Sequence, residues 1–344
     1  MNRLLTHQEF DTLLQESSSA YQFWGPVRKS GRGRFSDTDL ITYEPLSSAT
    51  QIVWDQKTFR SAKEILFPIN ETVLRFEQEK VSEPSSVDNR EIVVFCRSCD
   101  IHAVSRLDNI FLQNGPAADP YYKRLRDRLH FVLMECAEPF DSCFCVSMGT
   151  NKTNNFGAAV RSTESGILLS SCEGLFEQNL SGKGQPVDFD IQFPLRNGTD
   201  VTVPDSTDMP QALYDHELWE EYSRRCIACG RCNTSCPTCS CFSVHDIQYD
   251  KLNGQSAERR RMWAGCHVDK FSDMAGGMEF RKTNGSRMRF KTFHKMYDYR
   301  KRFGLNMCVG CGRCDDVCPE YISFANCINK VSELLQSEGA VHDQ

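Results

Sequence analysis

The hydrophobic pattern changes character along the chain. Ile92-Val93-Val94-Phe95 and Phe131-Val132-Leu133-Met134 are short, wholly apolar runs, as strands buried on both faces require. Between them Val104, Leu107, Ile110 and Phe111 recur at helical spacing, with Asp100 placed to cap that helix, and residues 121–129 give a second helical stretch. Strand, helical crossover, strand is the unit of an open α/β sheet. Upstream, residues 4–16 read as an amphipathic helix with Leu5, Phe10, Leu13 and Leu14 near one stripe and a capping box from Thr6 to Glu9. Residues 59–76 mix helical and strand patterns around Pro68, and residues 80–90 are polar enough for a connecting loop. From residue 147 to about 207, short strand-like runs such as Gly166-Ile167-Leu168-Leu169 are broken by Gly, Asn, Asp and Pro, and Asn197-Gly198 predicts a hairpin turn. The stretch 203–210, V-P-D-S-T-D-M-P, reads as a boundary, beyond which residues 213–222 and 321–335 are helical. The expected architecture is an α+β or α/β domain over 1–207 and a mainly α-helical domain over 208–344.

Cysteine placement adds chemistry to that frame. Cys226, Cys229, Cys232 and Cys236 stand at C-x2-C-x2-C-x3-C-P spacing, and Cys308, Cys311, Cys314 and Cys318 repeat it, each set closed by a proline. A 4Fe-4S cubane takes one thiolate per iron, and three thiols at intervals of three residues wrap three corners in one tight loop. Gly230 and Gly312 suit such a loop, since backbone without a Cβ approaches the sulfides closely. In two-cluster ferredoxins the fourth cysteine ligates the other cluster. That rule predicts one cluster on Cys226, Cys229, Cys232 and Cys318 and another on Cys308, Cys311, Cys314 and Cys236, so the second domain is two-cluster ferredoxin-like. Structural zinc sites show paired C-x2-C knuckles instead.

Five further thiols fall at one predicted edge. Cys96 and Cys99 follow the first apolar strand, Cys136 follows the second, and Cys143 and Cys145 share a tight loop. Open α/β sheets place ligand sites at the carboxyl ends of their strands. Four of the five would complete a third 4Fe-4S cluster and one is surplus; zinc and a redox disulfide are the competing readings. A small buried hydrophobe describes an isolated cysteine such as Cys172 but not five together. Cys239, Cys241, Cys266 and Cys327 are read as surroundings of the clusters or as core.

Charge narrows the partners. A net charge of -6 gives no sign of nucleic acid, no apolar run reaches the length of a membrane span, and the first ten residues lack the apolar stretch of a secretion signal. Eighteen cysteines without an export signal point to metal ligation in a reducing compartment, so the cytoplasm is the expected location. Residues 221–303 hold about 17 Lys and Arg against about 8 Asp and Glu, including Arg259-Arg260-Arg261 and Arg300-Lys301-Arg302. That belt suits cations beside buried anionic clusters, a solvated helix face, or a dock for an acidic partner. Gly31-Arg32-Gly33-Arg34 is a basic loop and not the G-x-G-x-x-G of a dinucleotide site, which places hydride chemistry on another chain. The eight histidines, His102, His245, His267 and His294 among them, form no triad or metal pair. No catalytic residue is expected.

Several stretches carry a family resemblance: Gly33 to Asp39 (G-R-F-S-D-T-D), Cys143 to Lys152 (C-F-C-V-S-M-G-T-N-K), Phe271 to Gly277 (F-S-D-M-A-G-G) and Met307 to Asp315 (M-C-V-G-C-G-R-C-D). With Cys99-Asp100, the lone Cys136 and two separated ferredoxin motifs, the chain resembles the iron-sulfur subunits of sulfhydrogenases and of anaerobic sulfite reductase, those of the sulfite reductase most of all. The resemblance runs nearly the whole length. It implies an electron-transfer subunit relaying single electrons from a flavin subunit that oxidises NADH to a sirohaem subunit that reduces sulfite to sulfide. The family pattern has Asp after its first cysteine, which implies Cys99, Cys136, Cys143 and Cys145 as the third set and Cys96 as the surplus or alternative ligand. Cys226 with Cys232, and Cys314 with Cys318, also satisfy the C-x5-C and C-x3-C pairs of sirohaem enzymes, but the intervening Cys229 and Cys311 fit ferredoxin motifs better. Two alternatives stand beside this expectation: the iron-sulfur beta subunit of a soluble hydrogenase or sulfhydrogenase, and a redox-sensing iron-sulfur protein.

Overall fold

A computed structural model of the chain describes residues 1–78, 80–84, 88–172, 174–177, 179–204, 209, 211–249 and 256–342, with 338–342 as backbone. The expected boundary at 203–210 lies largely outside these residues, as does part of the polar stretch 80–90.

The apolar runs become neighbours in one eight-stranded sheet, in the order Gln185–Pro186, Asn2–Leu5, Gly166–Ser171, Ala158–Thr163, Leu129–Met134, Glu91–Cys96, Tyr21–Lys29, Leu40–Pro45. From Ala158–Thr163 to Tyr21–Lys29 the pairing is parallel, and toward both edges it is antiparallel. Alternation within Glu91–Cys96 explains why the run is wholly apolar. Val93 and Phe95 face a core shared with Phe10, Leu13 and Phe23, while Ile92, Val94 and Cys96 face one shared with Leu107, Phe111 and Tyr122. Helix His7–Ser17 covers the first face, with the expected capping box between Thr6 and Glu9. Helices Ser98–Leu112 and Pro120–Arg126 cover the second.

Several expectations are corrected. Residues 2–5 are a strand that takes the first two positions of the helix expected over 4–16, which starts at His7 instead. Arg97, not Asp100, is the N-cap of Ser98–Leu112; Asp100 is buried in the first turn. Asn197-Gly198 joins no strand pair among the described residues. Asn197 is instead buried, where its side chain accepts from the Val146 N–H at 2.7 Å.

The region after residue 208 is not mainly helical. Strands Phe242–Gln248 and Ser256–Trp263 form a hairpin that pairs with Asn70–Glu77, extended by Lys80–Ser82, so a second four-stranded sheet joins residues on both sides of position 207. Arg261 is buried beneath it, paired to Glu71 and Asp119 at 2.7 Å each. Helix Leu218–Arg225 lies against Asn284–Phe293, which continues through a π-helical segment, His294–Asp298, into Tyr299–Phe303. Together with Phe324–His342 these helices bury Trp219, Tyr222, Phe293 and Ile328 in a third core, against which Cys226, Cys308, Cys314 and Cys318 pack. No helix among the described residues is long and apolar enough to cross a membrane.

Candidate metal centres

The two ferredoxin motifs fold alike because they place the same demands on the backbone. Ala228 and Gly310 hold φ of 55° and 62°, and Gly230 and Gly312 hold 70° and 68° before one-turn helices at Arg231–Thr234 and Arg313–Asp316. This left-handed geometry directs amides at sulfur. Ala228 N–H donates to Cys226 Sγ and Gly310 N–H to Cys308 Sγ, both at 3.4 Å, and Ile322 N–H donates to Cys318 Sγ at 3.3 Å. Donors aimed at sulfur favour the thiolate, the form that ligates metal.

Cys226, Cys229, Cys232 and Cys318 line one cavity, whose wall also carries Cys314, Lys291 and His267. Cys236 is not part of that wall. It is buried within electrostatic reach of Cys308, Cys311 and Cys314. Cys318 of the second motif thus shares a cavity with the first three cysteines of the first motif. Burial pushes the Cys308 thiol up to about 12 and Cys232 to about 11. Ionised sulfur at these positions requires a compensating positive charge, which bound iron would supply.

A second cavity is lined by Cys99, Cys136, Cys143 and Cys145 together with Cys311, Lys57 and Arg97. Cys96 is 1% exposed in the apolar core behind it. Asn197 Nδ2 donates to Cys145 Sγ at 3.6 Å, opposing the burial that lifts this thiol to about 11. The loop bearing Cys143 and Cys145 packs directly on the second motif. Phe144 N–H donates to Gly310 O at 2.8 Å, and a Cβ at position 310 would stand 2.5 Å from Phe144 O. Lys57 Nζ bridges Ser142 Oγ at 2.5 Å, Cys311 O at 3.0 Å and the Asp316 carboxylate at 2.6 Å. Beneath them Arg313, the residue after Cys311-Gly312, pairs with Asp100, the residue after Cys99, at 2.9 Å with both side chains 2% exposed.

The second motif thus touches both cavities, through Cys314 on one side and Cys311 on the other. Among the described residues no three Cys, His, Asp or Glu side chains close around a single-ion position. Thiols ringing a cavity suit a polynuclear cluster better than one tetrahedral zinc ion.

Residues 225–322 match the 4Fe-4S dicluster domain. The match spans both motifs and the hairpin and helices between them. Over its whole length the chain is similar to the sulfhydrogenase 2 subunit beta of Pyrococcus furiosus: 29% identical over 343 residues, covering 95% of this chain and 96% of that protein. No solved structure matches it. These likenesses support an iron-sulfur electron-transfer subunit of an oxidoreductase complex.

Sequence reasoning missed most of the polar surroundings. Lys57, Asn197 and the Asp100–Arg313 pair carry no local signal, since each acts on a segment remote in sequence. The buried lysines of the basic belt were open to detection as an excess of charge but not assignable to an interior. His267, which the sequence placed in no triad or metal pair, is 1% exposed in the wall of the first cavity, with Nδ1 4.0 Å from Cys226 Sγ.

Proposed function

We propose that this chain is the electron carrier of a multi-subunit oxidoreductase of the sulfhydrogenase kind, holding three 4Fe-4S clusters in a row. The ligand sets are Cys226, Cys229, Cys232 and Cys318; Cys308, Cys311, Cys314 and Cys236; and Cys99, Cys136, Cys143 and Cys145. The third set falls within residues 1–207 and the other two within 208–344. The observation that carries the reading is that one motif supplies wall to both flanking cavities, Cys314 to one and Cys311 to the other. Clusters bound there would accept and release one electron at a time. The chain's own residues hold the ligands and exclude water. Amides of Ala228, Gly310 and Ile322 donate to ligand sulfurs, and Lys57 ties the loop of the third set to the second motif. Hydrogen bonds and burial of this kind set cluster potentials.

With no dinucleotide fingerprint in the sequence, hydride oxidation falls to a flavin-bearing partner. The terminal partner is read first as a hydrogenase subunit, because the similarity to the sulfhydrogenase beta subunit extends over both proteins nearly end to end. A sirohaem sulfite reductase subunit is the second reading, favoured by the stretches Gly33 to Asp39 and Phe271 to Gly277. Anaerobic purification of the tagged chain from its own cells, with its partners, tests both. Hydrogen uptake that vanishes in Cys311→Ser supports the first reading, and NADH-dependent sulfide production from sulfite that vanishes in the same variant supports the second. A stable complex in which Cys311→Ser changes neither activity would overturn the carrier role.

A further inference from the structure

Three lysines, one on the short helix Lys63–Leu66 and two in the C-terminal half, are placed where lysine is costly. Lys63, Lys291 and Lys295 are each 3% exposed, and among the described residues none has a carboxylate within ion-pair distance. Their contacts are neutral. Lys63 Nζ donates to Cys239 O at 2.8 Å and lies 4.0 Å over the Trp263 ring; Lys295 Nζ donates to Thr238 Oγ1 at 2.8 Å; Lys291 Nζ lies 4.5 Å over the Phe324 ring. A buried ammonium without an anion costs several kcal/mol, so the fold must supply one. The groups that face these ammoniums are thiols. Lys291 shares the wall of the first cavity with Cys232 and Cys314, and Cys239 and Cys236 are also within its electrostatic reach. Lys295 faces Cys236 and Cys308, and its acceptor Thr238 Oγ1 stands 3.5 Å from Cys236 Sγ. Lys291 and Lys295 are four residues apart at the entry to the π-helical segment, which turns both into the same interior.

We infer that Lys291 is a potential-setting residue shared by the two clusters of the C-terminal half, and that Lys295 acts on the second of them alone, through Thr238. The inference rests on the cluster assignment proposed above. Reduction adds one electron to a site that is already anionic, so a fixed buried cation stabilises the reduced form more than the oxidised one and raises the potential. It also divides the basic belt of residues 221–303: Lys291 and Lys295 serve the clusters, whereas Arg259, paired with Asp246, lies on the outer hairpin.

The test is a redox titration of the full chain, purified anaerobically, followed by electron paramagnetic resonance, with iron and acid-labile sulfide measured on the same samples. In Lys291→Met the reduction equilibria of both C-terminal clusters fall about tenfold, which is about 59 mV for a one-electron couple. Lys291→Arg, which keeps the charge, stays within about threefold of the unaltered chain. In Lys295→Met only the second cluster shifts. Full iron content with unchanged potentials in both Met variants overturns the inference while leaving the clusters in place. If a Met variant loses its iron, recovery of iron in the matching Arg variant supports charge compensation, and failure to recover overturns it. An unaltered chain without iron or sulfide would overturn the cluster assignment itself, and this inference with it.

Discussion

Asp100 and Arg313 show how single residues join segments more than two hundred positions apart. Arg313 reaches Asp100 at 2.9 Å and also donates to Thr58 O at 3.1 Å, so the second motif is locked to the sheet from beneath. Removing one partner leaves a buried charge uncompensated. Asp100→Ala is therefore expected to lower stability by about 3–5 kcal/mol, read from the urea midpoint of the anaerobic protein, and the double variant Asp100→Ala with Arg313→Met should recover part of that loss. Gly310 makes a complementary case. Its φ of 62° and the 2.5 Å approach of Phe144 O leave no room for a side chain, so Gly310→Ala should cost the second cluster its iron. At the equivalent position of the first motif Ala228 already holds φ 55°, and Ala228→Gly should leave iron content unchanged. The two motif loops at this scale were legible because a 4Fe-4S cubane asks for cysteines at that spacing in one tight loop. Asp100 was misread as a cap because a helix-capping position and a buried ion pair ask for the same residue type.

Elements repeat the lesson in both directions. The strands Glu91–Cys96 and Leu129–Met134 were legible because burial on both faces leaves an uninterrupted apolar run. Phe95 is fully buried and meets the Phe10 ring edge-on at 6.1 Å. Phe95→Ala should lower stability by about 3–5 kcal/mol in thermal unfolding, while the iron content of the two C-terminal sites stays unchanged in the folded protein. The hairpin of Phe242–Gln248 and Ser256–Trp263 was not legible, for a physical reason. Its partner, Asn70–Glu77, lies far away in sequence, and its own strands are mostly exposed over Phe242–Gln248 and mostly half-buried over Ser256–Trp263, so no strong apolar alternation marks it. The same remoteness hid the strand Asn2–Leu5, a short segment whose pairing is with residues 167–170.

In the whole molecule, the sheet delivers one set of thiols, the helical region another, and the second ferredoxin motif stands between them. Cys311 borders the cavity of Cys99, Cys136, Cys143 and Cys145, and Cys314 borders that of Cys226, Cys229, Cys232 and Cys318. A carrier needs this adjacency, because electrons cross only short gaps between clusters. Which partner donates and which accepts is a property of the complex; the number of stations is a property of this chain. The most direct test is the iron and acid-labile sulfide content of the full chain after anaerobic purification. About twelve of each per chain is the predicted result, falling to about eight in Cys143→Ser. Zinc in place of iron, or iron without acid-labile sulfide, would contradict the row of clusters on which the functional reading depends.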